Sequence, residues 1–166
     1  MRRVGVGFIC LALIASCGGG GGNQSSGTPK NGGTATIALE SELRTLDPMD
    51  SSLLVEREVF YNLYDSLFTI DPSLTIKSGL VKSWDVSDPL NYKFTLQSGV
   101  KYQDGTPFNG ASVKANIERY KTGATSRRKS DLASVKSVEV TDDTHVVFHL
   151  SKPNATLLAT LVDRAG

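Results

Sequence analysis

Residues 84–119 constrain the fold more than any other part of the chain, because they hold two alternating runs, two turn signals and one helical pattern. Apolar and polar residues alternate on both sides of the turn sequence DPLN at 88–91, with Trp84 and Val86 before it and Tyr92, Phe94 and Leu96 after it. Alternation of this kind is typical of strands with one buried face, and the short turn predicts a hairpin. Cross-strand packing would then bury Trp84 among the aromatic residues of the second strand.

The second half of this stretch predicts a tight turn and then a helix. In the pair Asp104-Gly105 the glycine is expected to supply a positive φ angle. Asp104 could also serve as a catalytic acid, but a turn accounts for it without that role. Asn109 is a good N-cap residue for the helix. The apolar residues of the predicted buried helix face are Val113, Ile117 and Tyr120.

The same patterns recur through the rest of the folded part, which predicts a mixed α/β fold. Strands and hairpins are predicted at residues 34–39, 67–76 and 135–150, and a helix at 155–162. Another helix is predicted after residues 50–52, which are residue types that favour an N-cap. Its apolar residues recur every four positions and are Val55, Val59, Leu63 and Leu67.

Composition and motifs exclude several functions. The formal charge of +1 gives no reason to expect a nucleic-acid partner, and the bases Arg127, Arg128 and Lys129 are interpreted as a solvated loop. His145 and His149 face the same side of a predicted strand, but their backbones would lie about 13 Å apart, too far for one metal ion. No catalytic motif is recognisable, so we predict a protein that is not an enzyme and needs no cofactor or metal.

The first residues have the design of an export signal. Arg2 and Arg3 precede an apolar run at 4–14, which is shorter than the roughly 20 residues that span a bilayer. The sequence IASC at 14–17 resembles a bacterial lipobox, which predicts that Cys17 is lipidated and becomes the first mature residue. An ordinary signal peptide, with Cys17 incidental, is the alternative. Residues 18–33 are rich in glycine and polar residues and predict a flexible tether.

Short motifs follow one another in an order that resembles family 5 extracellular solute-binding proteins, the oligopeptide-, dipeptide- and nickel-binding lipoproteins of bacterial ABC importers. They include TLDP at 45–48, YNLYDSL at 61–67, GLVKSWDVS at 79–87, YKFTL at 92–96, DGTP at 104–107, NIER at 116–119 and the segments at 138–143 and 150–155. Ser78 and the sequence NGAS at 109–112 depart from the usual pattern. The resemblance implies a domain at 34–166 after the signal at 1–17 and the tether at 18–33.

The resemblance also implies a two-lobed periplasmic-binding-protein-like architecture, of which this chain would be the N-terminal part. Residues 34–39 would be the first strand of one lobe, and residues 47–153 an added subdomain. Glu42 and Arg164 would face the ligand, with a surface salt-bridge role as the alternative for each.

The implied protein is an extracytoplasmic, lipid-anchored monomer, periplasmic or at the cell surface. It would capture a peptide or another small solute and deliver it to ABC permease subunits. Family members are much longer, so we expect the chain to be truncated and to bind peptides poorly on its own. The alternative is a lipid-anchored, non-catalytic interaction module or a non-functional fragment of a split transporter gene.

Overall fold

The computed structural model describes residues 32–166, and within them helices and strands mix as the predicted fold class requires. The helices are α1 (Leu54–Phe60), α2 (Gly110–Thr122) and α3 (Leu157–Thr160). The strands are β1 (Phe68–Ile70), β2 (Ile76–Ser78), β3 (Val81–Asp85), β4 (Asn91–Leu96), β5 (Val135–Val140) and β6 (His145–Leu150). The predicted signal segment, Cys17 and residues 18–31 of the predicted tether lie outside the described residues. Within 32–166, none of the helices has the length and apolar character needed to cross a membrane.

The centre of the fold is an antiparallel sheet with the strand order β3-β4-β6-β5, beside a separate hairpin of β1 and β2. Every second residue of β4 and β6 is buried, as alternation requires: Tyr92, Phe94 and Leu96 from β4, and Val146, Phe148 and Leu150 from β6. The Phe94 and Phe148 rings lie 4.9 Å apart between centroids. Val113 and Ile117 of α2 are buried in the same core, and Tyr120 is partly buried and packs against it. The predicted hairpins and the buried helix face are therefore confirmed.

The turn and the cap that precede α2 also form as predicted. Gly105 has a φ of +87°, and the Asp104 carboxylate accepts hydrogen bonds from the Thr106 hydroxyl and N–H at 2.7 and 2.9 Å. These bonds lower the pKa of Asp104. At the start of α2, Asn109 Oδ1 accepts from the Ser112 N–H at 3.1 Å, and Ser112 Oγ accepts from the Asn109 N–H at 3.1 Å. The structural interpretation of Asp104 and the cap at Asn109 are confirmed.

Trp84 is less buried than the alternating pattern predicts. It pairs with Phe94 in register, and its ring meets Phe68 edge-on at 5.2 Å between centroids. Yet 36% of the residue is exposed, because β3 is an edge strand on which Val81 is the buried position. The prediction that the hairpin buries Trp84 is therefore wrong, although the predicted aromatic neighbours are present.

Three predicted elements differ from the structure. Residues 34–39 are exposed and form no strand, since no described strand pairs with their backbone groups. Helix α1 ends at Phe60 instead of continuing to Leu67, since the next residues tighten into a turn with i to i+3 bonds, from the Asn62 N–H to the Val59 carbonyl and from the Leu63 N–H to the Phe60 carbonyl. The predicted helix at 155–162 is helical only in α3, although Leu157 and Leu161 are both buried.

The two histidines lie on the solvent-facing side of the sheet, as the strand pattern predicts. His149 Nδ1 lies 2.6 Å from Asn91 Oδ1, and its Nε2 lies 2.8 Å from a Glu139 oxygen. His145 Nδ1 lies 2.9 Å from an Asp142 oxygen. Each ring therefore contacts its own neighbours on strands or turns, and the two rings do not share a partner.

Candidate functional site

The loop that precedes α1 is organised by one buried carboxylate. Glu56 lies in the first turn of α1, and its side chain is fully buried. Its oxygens accept four hydrogen bonds, from the Ser51 hydroxyl at 2.8 Å and from the N–H groups of Ser52, Leu53 and Arg44 at 3.1, 3.0 and 3.2 Å. A carboxylate can satisfy this number of donors because both of its oxygens accept. Glu56 therefore fixes the backbone of a loop that has no regular structure.

The surroundings of Glu56 keep it ionised. Burial alone raises the pKa of a carboxyl group, because a low-dielectric interior disfavours the charge. The hydrogen bonds from the Leu53 N–H, the Ser51 hydroxyl and the Ser52 N–H outweigh burial, and the positive charge of Arg44 adds to them. Together they lower the pKa of Glu56 to about 2.

The carbonyl groups of the same loop face arginine side chains. The Asp50 carbonyl accepts from Arg44 Nη2 at 2.6 Å and from Arg127 Nε at 3.0 Å. The remaining contacts are Arg128 Nη2 to the Ser51 carbonyl at 3.0 Å, Arg164 Nη1 to the Leu53 carbonyl at 3.3 Å, and Arg164 Nη1 to Ser51 Oγ at 2.9 Å. Residues 50–53 thus connect α1 to the nearby Arg44 and to arginines from two distant segments of the chain, at 127–128 and at 164.

A cavity of about 320 Å³ lies beside two of these arginines. Its lining comprises Arg128, Asp131, Thr156, Ala159, Thr160, Asp163, Arg164 and Ala165. Arg128 Nη1 is 3.0 Å from Asp131 Oδ2, and Arg164 Nε is 3.6 Å from Asp163 Oδ1. The Nε atoms of Arg128 and Arg164 are buried and have no hydrogen-bond partner among residues 32–166. Paired guanidinium and carboxylate groups around one cavity can complement a small molecule that carries both charges.

A second and larger cavity of about 480 Å³ lies between α1 and α2. Aromatic side chains form much of its lining: Phe60, Tyr61, Tyr64, Tyr102, Phe108 and Tyr120. Its polar groups bind one another, since the Tyr64 hydroxyl donates to the Leu46 carbonyl at 2.8 Å and Arg57 forms a salt bridge with Asp163 at 3.2 Å. Asp163 and Arg164 line both cavities. Both cavities therefore carry guanidinium–carboxylate pairs, and they differ in that small and polar side chains make up the described lining of the smaller one, which we call the charged cavity.

The two predicted ligand-facing residues differ in their exposure and in their contacts. Arg164 lies at the charged cavity with 13% of its side chain exposed. Glu42 is exposed and, among residues 32–166, makes no side-chain hydrogen bond or salt bridge. A ligand role for either residue remains a prediction, and the geometry favours Arg164.

The pattern of the sequence missed most of this cluster. The prediction that Arg128 is solvated is wrong, because Asp131 and the Ser51 carbonyl hold its guanidinium group and only 16% of the side chain is exposed. The sequence pattern marks Ser51 only as one of the N-cap types at 50–52, and it does not indicate that Glu56 binds back to it. The one signal that could have marked them is a glutamate placed five residues after a serine, where it can reach back to the loop.

The sequence that forms this arginine and aspartate cluster and the antiparallel core matches one protein family. A sequence model of the bacterial extracellular solute-binding proteins, family 5 Middle, matches residues 75–165. The glutathione-binding protein GsiB of Escherichia coli O6:K15:H31 is 33% identical over 159 residues, which are 95% of this chain and 29% of that protein. GsiB of Escherichia coli K12 is 32% identical over the same extent. The chain thus spans less than a third of the length of these curated relatives.

Solved structures share the fold. NikZ from Campylobacter jejuni in complex with Ni(L-His) is 29% identical, with a TM-score of 0.65 over 75% of this chain and 25% of that one. The Escherichia coli murein tripeptide binding protein MppA has a TM-score of 0.71 over 76% of this chain and 28% of that one, at 22% identity. At that identity the second likeness concerns the fold alone. Because the family model covers more than half of its residues, the chain belongs to the bacterial extracellular solute-binding proteins of family 5.

Proposed function

We propose that this chain belongs to the solute-binding component of a bacterial ABC importer and captures a peptide or a similar small solute. The observation that carries the proposal is the charged cavity, where Arg128 and Arg164 stand beside Asp131 and Asp163. A peptide has carboxylate groups that suit the arginines and an ammonium group that suits the aspartates. Relatives described as glutathione-binding are consistent with a ligand of this chemistry.

The proposed role is transport without chemical change of the solute. The chain would act outside the cytoplasm as a monomer and would deliver its solute to the permease subunits, with closure of the protein around the ligand as the signal. Membership of a solute-binding family supports this role.

Solution NMR of the ¹⁵N-labelled chain tests the ligand. We expect glutathione to shift the resonances of Arg128 and Arg164 with a dissociation constant in the millimolar range, since ion pairs at a water-exposed cavity contribute about 1 kcal/mol or less each. Arg164→Gln should weaken binding by up to about fivefold, whereas Lys129→Ala, a change at an exposed neighbour, should not. Equal binding of glutathione diethyl ester, in which both carboxylates are blocked, would contradict the proposal.

We further propose that a lipid on Cys17 holds the protein at a membrane. The positive end, the short apolar run and the lipobox-like IASC sequence support this, and the glycine-rich residues after Cys17 would serve as the tether. Cells that express the wild-type chain with a clickable palmitate analogue should label it, and the Cys17→Ala variant should lose at least nine-tenths of the label. Equal labelling of the two chains would exclude the anchor.

A further inference from the structure

Ser51 occupies a central place in the cluster around the charged cavity. It is fully buried, and its hydroxyl lies 2.8 Å from Glu56 Oε2 and 2.9 Å from Arg164 Nη1. Its carbonyl oxygen accepts from Arg128 Nη2 at 3.0 Å. One residue therefore contacts both cavity arginines, through its side chain for one and its main chain for the other.

The direction of these hydrogen bonds is fixed by charge. A serine hydroxyl has one proton to donate and two lone pairs to accept with. Ionised Glu56 can only accept and Arg164 can only donate, so the proton of Ser51 must face Glu56 while a lone pair faces Arg164. Because both partners are charged, the two bonds are stronger than those of a neutral pair.

The two arginines reach Ser51 from segments far along the chain. Arg128 lies 77 residues after Ser51 in the sequence, beyond the end of α2. Arg164 lies 113 residues after Ser51, beyond the end of α3. Both also touch a carboxylate that lines the cavity, Asp131 for Arg128 and Asp163 for Arg164. The aspartates belong to the same segments as their arginines, so they cannot set the distance between the two guanidinium groups. Ser51 is the shared contact that can set it.

We propose that Ser51 is a positioning residue which sets the spacing of the Arg128 and Arg164 guanidinium groups and so determines which carboxylate-bearing solutes fit the cavity. The specificity part of this inference rests on the proposed function of the cavity. The positioning part concerns the protein without ligand and can be measured on its own.

The test uses ¹⁵N NMR of arginine side chains in the 166-residue chain, which reports rotation of each guanidinium group. In the wild type, Arg164 and Arg128 should both show separate, slowly exchanging Nη signals. In Ser51→Ala the Arg164 signals should exchange faster and merge, because the bond to Ser51 Oγ is lost and only the longer bond of Nη1 to the Leu53 carbonyl, at 3.3 Å, remains. Those of Arg128 should persist, because the Ser51 carbonyl at 3.0 Å is unchanged. Ser52→Ala, a change at an exposed neighbouring side chain, should leave both sets unchanged. An unchanged amide spectrum outside the loop would establish that each variant is folded.

Arg164 signals that stay restrained in folded Ser51→Ala would overturn the inference, as would equal loosening in Ser52→Ala. If Ser51→Ala fails to fold, the same spectra of Ser51→Cys decide, since a thiol accepts hydrogen bonds weakly. A titration with glutathione tests the ligand as well: Ser51→Ala should weaken binding by up to about fivefold relative to Ser52→Ala. If wild-type protein binds no glutathione, the proposed ligand class fails, and the guanidinium signals still decide the role of Ser51.

Discussion

Phe148→Ala should lower the free energy of unfolding by about 3–5 kcal/mol. Phe148 lies on β6 at the centre of the sheet, has no exposed surface, and packs against Phe94 at 4.9 Å between ring centroids. Removal of the ring leaves a cavity in a sheet whose other strands cannot close around it without breaking their own pairing. Since domains of this size are stable by about 5–15 kcal/mol, the variant should be close to unfolding at 37 °C.

Urea unfolding followed by circular dichroism measures this effect. Val147→Ala on the same strand is the control, because Val147 points to the opposite face and is only partly buried. We expect it to cost about 1 kcal/mol or less. Equal losses for the two variants would mean that β6 does not present Phe148 to the core.

The sheet could be predicted from sequence because its signal is local. Successive side chains of a strand point alternately to the core and to solvent. Tyr92, Phe94 and Leu96 therefore indicate one buried face even when their partners are unknown. Turn chemistry is equally local: Gly105 and Asp104 need only their own neighbours to form the turn. These are the parts of the fold that the sequence patterns predicted correctly.

Errors arose where distant contacts decide the outcome. Leu63 and Leu67 continue the helical spacing of Val55, yet α1 ends at Phe60, and the Tyr64 hydroxyl binds the Leu46 carbonyl, 18 residues away. Trp84 follows the apolar–polar alternation of its strand, but that strand lies at the edge of the sheet. The alternation does not indicate the order of the strands. The spacing of apolar residues indicates which face of a helix or strand is buried, but it does not indicate which other element covers that face.

Sequence patterns indicated little of the candidate site for the same reason, because its contacts join residues that are far apart in the chain. Arg164 was expected at the ligand on the basis of family resemblance, but nothing local connects it to Ser51 across 113 residues. Arg128 sits in a polar loop that reads as solvated, and only the fold brings it to the Ser51 carbonyl. Charged residues in loops acquire their role from tertiary contacts, which residue spacing does not encode.

Replacement of Glu56 by Gln should cost about 2–4 kcal/mol of stability at pH 7. An amide has one acceptor oxygen where the carboxylate has two, so at least one of the donors around residue 56 would lose its partner. Its NH₂ group would then face another N–H or hydroxyl donor in a fully buried site. Glu58→Gln is the control, because Glu58 is exposed on the same helix.

The dependence on pH separates the charge of Glu56 from its shape. In the unfolded chain the pKa of a glutamate is about 4.3, whereas in the folded protein the pKa of Glu56 is lowered to about 2. A lowered pKa means that the folded state resists protonation, so the contribution is complete above pH 4.3 and is lost as the pH falls towards 2. The full difference corresponds to about 3 kcal/mol.

Urea unfolding of the wild type and Glu56→Gln at pH 7, 5, 3.5 and 2.5 tests this directly. The gap between the two proteins should be constant from pH 7 to 5 and should shrink below pH 4.3. Other carboxylates with a lowered pKa, such as Asp142, titrate equally in both proteins and cancel in the difference. A gap of the same size at pH 2.5 and pH 7 would show that the charge of Glu56 contributes nothing. A shrinking gap would mean that the carboxylate which orients Ser51 beneath the cavity arginines also stabilises the folded loop.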